Sequence, residues 1–122
     1  MAAQVVEQAC NEVVLVGRVA RDPEEKELPS GDVLVLFSLI VDRPPSRRPV
    51  PEGSRPVTTD TIDCVAWSAA ARRTAAGFGP DDVVRVEGAL RRRFWRSPAG
   101  ATSKCEIEVA GLKRLARAQA SR

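Results

Sequence analysis

The chain contains no histidine and no tyrosine, and only five aromatic rings in 122 residues, two of tryptophan and three of phenylalanine. Without histidine, both the commonest general base and the commonest metal ligand are missing. No glycine-rich phosphate loop is present either, so the usual catalytic constellations have nothing to be built from, and an enzyme is not expected. Cysteine is scarce and odd in number, Cys10, Cys64 and Cys105, with no Cys-x-x-Cys pair. A metal site is therefore not expected, nor any cofactor. No apolar run approaches the roughly 20 residues of a membrane-spanning helix, and the start, MAAQVVEQACNEVV, lacks the basic and apolar segments of a secretory signal. The expectation is a protein without a membrane partner, kept in the cytoplasm. Lysine is rare as well, three residues against sixteen arginines. A GC-rich genome explains that bias in composition, so the information lies in where the arginines sit.

What is present is one domain's worth of alternating apolar sequence: 43% hydrophobic and 29% charged residues with a net charge of +3. That is enough for a single core with loosely held ends. Asn11–Val19 is β-branched and apolar and reads as a first strand ended by Asp22-Pro23. The turn Pro29-Ser30-Gly31-Asp32 leads into a second strand, Val33–Val41, apolar on both faces and so packed on both sides. Arg43–Thr59 holds five prolines, with Arg47, Arg48, Arg55 and almost nothing to bury, and reads as a long exposed loop. The third strand, Thr59–Ser68, alternates, with Ile62, Cys64 and Ala66 on one face and Thr61, Asp63, Val65 and Trp67 on the other. Ala69–Pro80 is an alanine-rich helix with a Gly and Pro stop. Val83–Leu90 is the fourth strand and Ser103–Ala110 the fifth, joined through a hairpin tip at Ala99-Gly100.

Five strands with one short helix between the third and fourth predict an all-β OB-fold, a five-stranded Greek-key barrel, over residues 11–115. Residues 1–10 form an N-terminal arm and 116–122 an end of uncertain order.

The stretch GALRRRFWRSPAG, Gly88–Gly100, places four arginines around two adjacent rings. Period two puts Arg91, Arg93 and Trp95 on one face and Leu90, Arg92 and Phe94 on the other. With Leu90 toward the barrel interior, Trp95 faces outward, as do Trp67 and Thr61 on the neighbouring strand. Flat rings flanked by guanidinium groups suit unpaired bases and phosphates; the same rings can instead cover a helix or a subunit contact. Arg96 joins Arg91 and Arg93 as a candidate, and Arg18, Arg43, Arg47, Arg48 and Arg55 are further candidates for phosphate contact. Phe37 and Phe78 are expected in the core, Arg72 and Arg73 in solvent. The carboxylate pairs Asp81-Asp82 and Glu106/Glu108 are expected as solvated strand entries and edge positions.

Four motifs in order carry a resemblance: Asn11 with VVLVGRV, then Asp22-Pro23-Glu24 with Leu28-Pro29-Ser30-Gly31, TIDCVAW ending at Trp67, and the run Val84–Trp95. Together they resemble the bacterial single-stranded DNA-binding protein (SSB) family over about Asn11 to Leu115. The resemblance implies a homotetramer of OB-folds that wraps single-stranded DNA without sequence preference in replication, recombination and repair, and catalyses nothing. It also implies base stacking at Trp67 and Trp95. Pro45 and Thr61 stand where some members have further stacking tryptophans, which shifts the expected binding energy toward phosphate contacts. The end, Ala118-Gln119-Ala120-Ser121-Arg122, is basic and ring-free where members that recruit replication proteins usually carry a long tail with an acidic, phenylalanine-containing tip. Either the sequence is trimmed or this is a tail-less paralogue beside a main SSB, and in the second case recruitment through such a tip is not expected. Cys10, before the first strand and near a subunit interface in family tetramers, is either a reduced bystander or an inter-subunit disulfide under oxidising conditions. The alternative reading of the whole is an OB-fold interaction subunit of a replication or restart complex with weak nucleic-acid binding.

Overall fold

In the computed structural model, residues 8–45 and 47–119 are described. The elements are β1 (Val13–Val19), β2 (Glu24–Glu27), β3 (Val33–Asp42), β4 (Thr59–Ala66), α1 (Ala69–Ala76), β5 (Val83–Ser97) and β6 (Gly100–Ala116). The first to fifth predicted strands correspond to β1, β3, β4, β5 and β6. β5 pairs with β6 along an antiparallel ladder that runs from Val83↔Ala116 to Ser97↔Gly100. β6 meets β4 in parallel at Cys64↔Ile107, and β4 pairs with β3 antiparallel. β1 closes the circle, antiparallel to β5 along most of its length and to β3 at Arg18↔Ile40 and Val19↔Leu39. The result is the expected closed five-stranded OB barrel with one helix.

Alternation drives the closure. Val13, Leu15, Gly17 and Val19 turn inward on β1 while Val14 and Val16 stay exposed. Val35, Phe37 and Leu39 from β3, Cys64 and Ala66 from β4, Val84 and Val86 from β5, and Ile107 and Val109 from β6 complete the interior. Phe37 and Phe78 meet edge to face, 5.8 Å apart, as a core pair. Gly17 is where β1 crosses closest to β3: a methyl group there would overlap the Ile40 carbonyl oxygen, so only glycine lets the barrel shut. The helix lies against β3, β4 and β6. Ser68 caps its first turn by accepting from the Ala71 N–H at 3.1 Å, and Ala71 and Ala75 face the core.

One strand gave no sequence signal. β2 is Glu-Glu-Lys-Glu, exposed throughout, and owes its conformation to the backbone ladder it makes with β3, Glu24↔Leu36 to Glu27↔Val33. The Leu28–Asp32 turn, with Gly31 at φ +92°, supplies that ladder's register. The hairpin elements are also longer than expected: β6 runs from Gly100 to Ala116 rather than Ser103 to Ala110.

A second departure concerns Asp82. It is buried rather than solvated, and its carboxylate accepts the Gly79 N–H at 2.8 Å, the Ala118 N–H at 2.7 Å and Arg114 Nε at 3.1 Å. Arg114 in turn donates to the Gly77 carbonyl and lies over the Phe78 ring at 5.6 Å. A carboxylate between two backbone donors therefore ties the turn before β5 to the end of β6. The two backbone N–H groups, with the Arg114 charge added, hold the Asp82 carboxyl below its ordinary value near 3.8. A folded-state pKa below the unfolded one gives a stabilisation fully present above the unfolded value and lost as pH falls through the folded value. Urea unfolding of wild type should thus lose stability below about pH 4, and Asp82→Asn should be less stable at neutral pH with a flatter acid limb; equal acid limbs would contradict the assignment.

Candidate nucleic-acid interface

The outward residues of β3, β4, β5 and β6 make one continuous surface. Trp67, just past the end of β4, and Trp95, near the tip of the β5–β6 hairpin, are 40% and 37% exposed. Both lie on this surface, as period two predicts. Between them sits Arg93. Its guanidinium lies 4.7 Å above the Trp95 ring, and its side chain also borders the cleft that holds Trp67, floored by Leu34, Leu36 and Val65. Arg93 therefore lies between the two indoles, its guanidinium over the Trp95 ring and its side chain at the edge of the Trp67 cleft.

Glu106 orients it. Its carboxylate accepts Arg93 Nε at 3.2 Å, and the residue is buried under Arg93, contrary to the expectation of a solvated edge. The reason is register: Arg91 faces Glu106 and Arg93 faces Lys104 across the ladder, so each arginine leans to the diagonal carboxylate, Arg93 to Glu106 and Arg91 to Glu108 at 3.2 Å. Lys104 continues the row to Asp63 at 2.8 Å, which also accepts from Ser38 at 2.8 Å. The Lys104 ammonium and the Ser38 hydroxyl hold the Asp63 carboxyl below its ordinary range against a burial effect of opposite sign. Cations and carboxylates thus alternate across the floor of the interface.

The other candidates fall into three places. Thr61 is exposed on β4 and faces Ile40, which faces Arg18 of β1; Arg18 is 3.7 Å from Asp81. Arg43 ties to Asp60 at 2.6 Å and its N–H donates to the Thr58 carbonyl, closing the base of the loop in which Pro45, Arg47, Arg48 and Arg55 are exposed. Arg96 lies with Arg92 and Phe94 on the reverse of the hairpin, away from Trp95, because it is one residue out of phase.

Asn11 carries a role that spacing alone did not reveal. Its side-chain carboxamide donates to the Leu90 carbonyl at 2.7 Å and accepts the Leu90 N–H at 2.9 Å, gripping β5 where it leaves the barrel. Leu90 itself is half exposed, since the ladder there has outrun the core. Cys64 is buried and its thiol is pushed up to about 12, chiefly by burial, which leaves it inert. Cys10 and Cys105 are exposed. Among the described residues no group of three His, Cys, Asp or Glu side chains is placed to hold a metal, and no helix is long and apolar enough to cross a membrane.

A closed OB barrel with two exposed indoles and a guanidinium set over one of them is an oligonucleotide-binding type of architecture. Residues 10–115 match the single-strand binding protein family, and the chain belongs to it. It is 36% identical to the single-stranded DNA-binding protein of Thermotoga maritima over 105 residues, 86% of this chain and 72% of that one. Against the Oceanobacillus iheyensis protein of the same name it is 35% identical over 92 residues, 75% of this chain and 54% of the relative. Against single-stranded DNA-binding protein A of Bacillus subtilis the identity is 33% over 90 residues, and the match spans about half of that relative's length. The fold is also that of a Plasmodium falciparum SSB solved in complex with single-stranded DNA, with a TM-score of 0.73 at 24% identity, covering 91% of this chain and 99% of that one.

If Glu106 sets the position of Arg93, Glu106→Gln should loosen the guanidinium from the indole. The expected result is a shifted Trp emission spectrum and a stability loss of about 1–3 kcal/mol in urea. An unchanged spectrum would show that Arg93 holds its place without Glu106.

Proposed function

We propose that this chain binds single-stranded DNA without sequence preference, by stacking bases on Trp67 and Trp95 and by phosphate contact with arginines, in the cytoplasm during replication, recombination or repair. The observation that carries the reading is the Trp67–Arg93–Trp95 surface: two partly exposed rings, with the Arg93 guanidinium over the Trp95 ring and its side chain bordering the Trp67 cleft. Every base offers a π-face, so such a surface binds strands of any sequence. Because Arg91, Arg93, Arg43 and Arg18 already have carboxylate partners, a phosphate must displace an acid to claim one of them fully. Stacking therefore carries a larger share of the energy than the count of arginines suggests.

Titration with oligo-dT should quench tryptophan emission. Trp95→Ala and Trp67→Ala should each weaken binding about 5- to 150-fold, the equivalent of one lost stack, and Arg73→Ala on α1 should leave it unchanged. Absence of quenching at low salt would overturn the proposal.

The same proposal includes assembly as a homotetramer. Val14 and Val16 are about half exposed on β1, and among the described residues the edge of β1 opposite β5 has no ladder partner from Val13 to Gly17. An unpaired apolar edge of that kind is satisfied by a second copy. Light scattering should give close to four times 13.2 kDa, with or without oligo-dT, and Val16→Lys should reduce it; a monomer in both conditions would exclude assembly. In the oligomer, Cys10 lies just ahead of this edge, where a non-reducing gel with a Cys10→Ser control reads any cross-link.

A further inference from the structure

Past Leu90 the inner row of the β5–β6 ladder has left the core while Arg93, Lys104 and Glu106 still border β3 and β4, so the hairpin arm has a second, open face besides the one turned to the barrel. The face with Arg91, Arg93 and Trp95 is the one described above. The reverse face carries Leu90, Arg92, Phe94 and Arg96 from β5, opposite Ser103 and Cys105 from β6. Phe94 is 71% exposed, the most open of the five rings in the chain. A phenyl ring at that exposure contributes nothing to the core, and among the described residues most of it is left uncovered.

The two faces differ in electrostatics. On the first, Arg91 and Arg93 are paired with Glu108 and Glu106. On the reverse, among the described residues, no carboxylate pairs with Arg92 or Arg96; Arg92 reaches only the Ser103 hydroxyl, at 3.4 Å. An exposed ring between two cations without acid partners is complementary to a polyanion with flat, unstacked bases, and poorly suited to burial against a second copy of the same cationic face.

We propose that the reverse face of the hairpin arm is a second single-strand contact, in which a base stacks on Phe94 while Arg92 and Arg96 take the flanking phosphates, so that the strand passes round both sides of the arm. This rests on the binding function proposed above and extends it. Because Arg92 and Arg96 have no acid to displace, this face contributes more salt dependence per contact than the Trp95 face does.

The test places a reporter on the reverse face. In a Trp67→Phe, Trp95→Phe background, Phe94→Trp gives a chain whose sole indole stands there. Poly(dT) should quench it, and an oligo-dT of about 8 nucleotides, within the range one OB fold accommodates, should quench it less. In the wild-type background, Phe94→Ala should weaken poly(dT) binding about 5- to 150-fold, and the Arg92→Ala, Arg96→Ala double variant should lower the salt slope by about 1.4, the equivalent of two phosphates on a single strand. Wild-type quenching together with a silent reporter and unchanged Phe94→Ala affinity would overturn this inference and leave the binding function standing. No wild-type quenching would overturn both. Reporter emission that changes on dilution without DNA would assign the face to a second copy of the chain and overturn the inference too.

Discussion

One antiparallel ladder, β5 against β6, governs the molecule. Its lower half is barrel wall, with Val84, Val86, Ile107 and Val109 turned to the core; its upper half has no core beneath it and becomes an arm. The same side-chain alternation runs through both halves, with the bulge at Glu87/Gly88 taking up the bend between them. The outer row of the wall thus becomes the Trp95 face of the arm, and the inner row, deprived of a core, emerges as Leu90 and Phe94. The composition of both exposed faces follows from how far a single hydrogen-bonded register is carried past the barrel rim.

Carboxylates set the chemistry of the floor. Glu106, Glu108, Asp63 and Asp60 each hold a cation of the interface. Such pairs contribute little to stability where both partners face water, but they fix rotamers, and Arg93 is the case where that counts. A guanidinium free to sweep solvent offers charge alone; one held over an indole adds to a surface on which a base can stack. The protein gives up part of the free positive charge of this face in return for shape.

Much of this was legible in the residues. The strand order, the helix and the outward placement of Trp67 and Trp95 follow from period-two alternation and from a Gly and Pro stop, both local signals. What escaped was decided by partners distant in sequence. β2 is charged throughout and is a strand only because β3 offers it a free edge. Asp82 looks like half of a solvated acidic pair, yet its donors come from Gly79, Arg114 and Ala118, brought together by the barrel's closure. Glu106 alternates like an edge residue, and its burial depends on Arg93 lying across it. Arg96 seemed a neighbour of Trp95 because it is adjacent in the chain, whereas on a strand adjacency means opposite faces.

Asn11 has a consequence for how the sheet ends. A strand that stops leaves its neighbour with an N–H and a carbonyl facing water, an open invitation for another strand to zip on. The Asn11 carboxamide presents one donor and one acceptor in the spacing of a peptide group and uses both on Leu90. It acts as a stopper: the rung is filled by a side chain, so the main chain is released from the sheet direction at that residue. The root of the arm is sealed against stray pairing on that side, and the chain before Asn11 can turn away at no cost in hydrogen bonds.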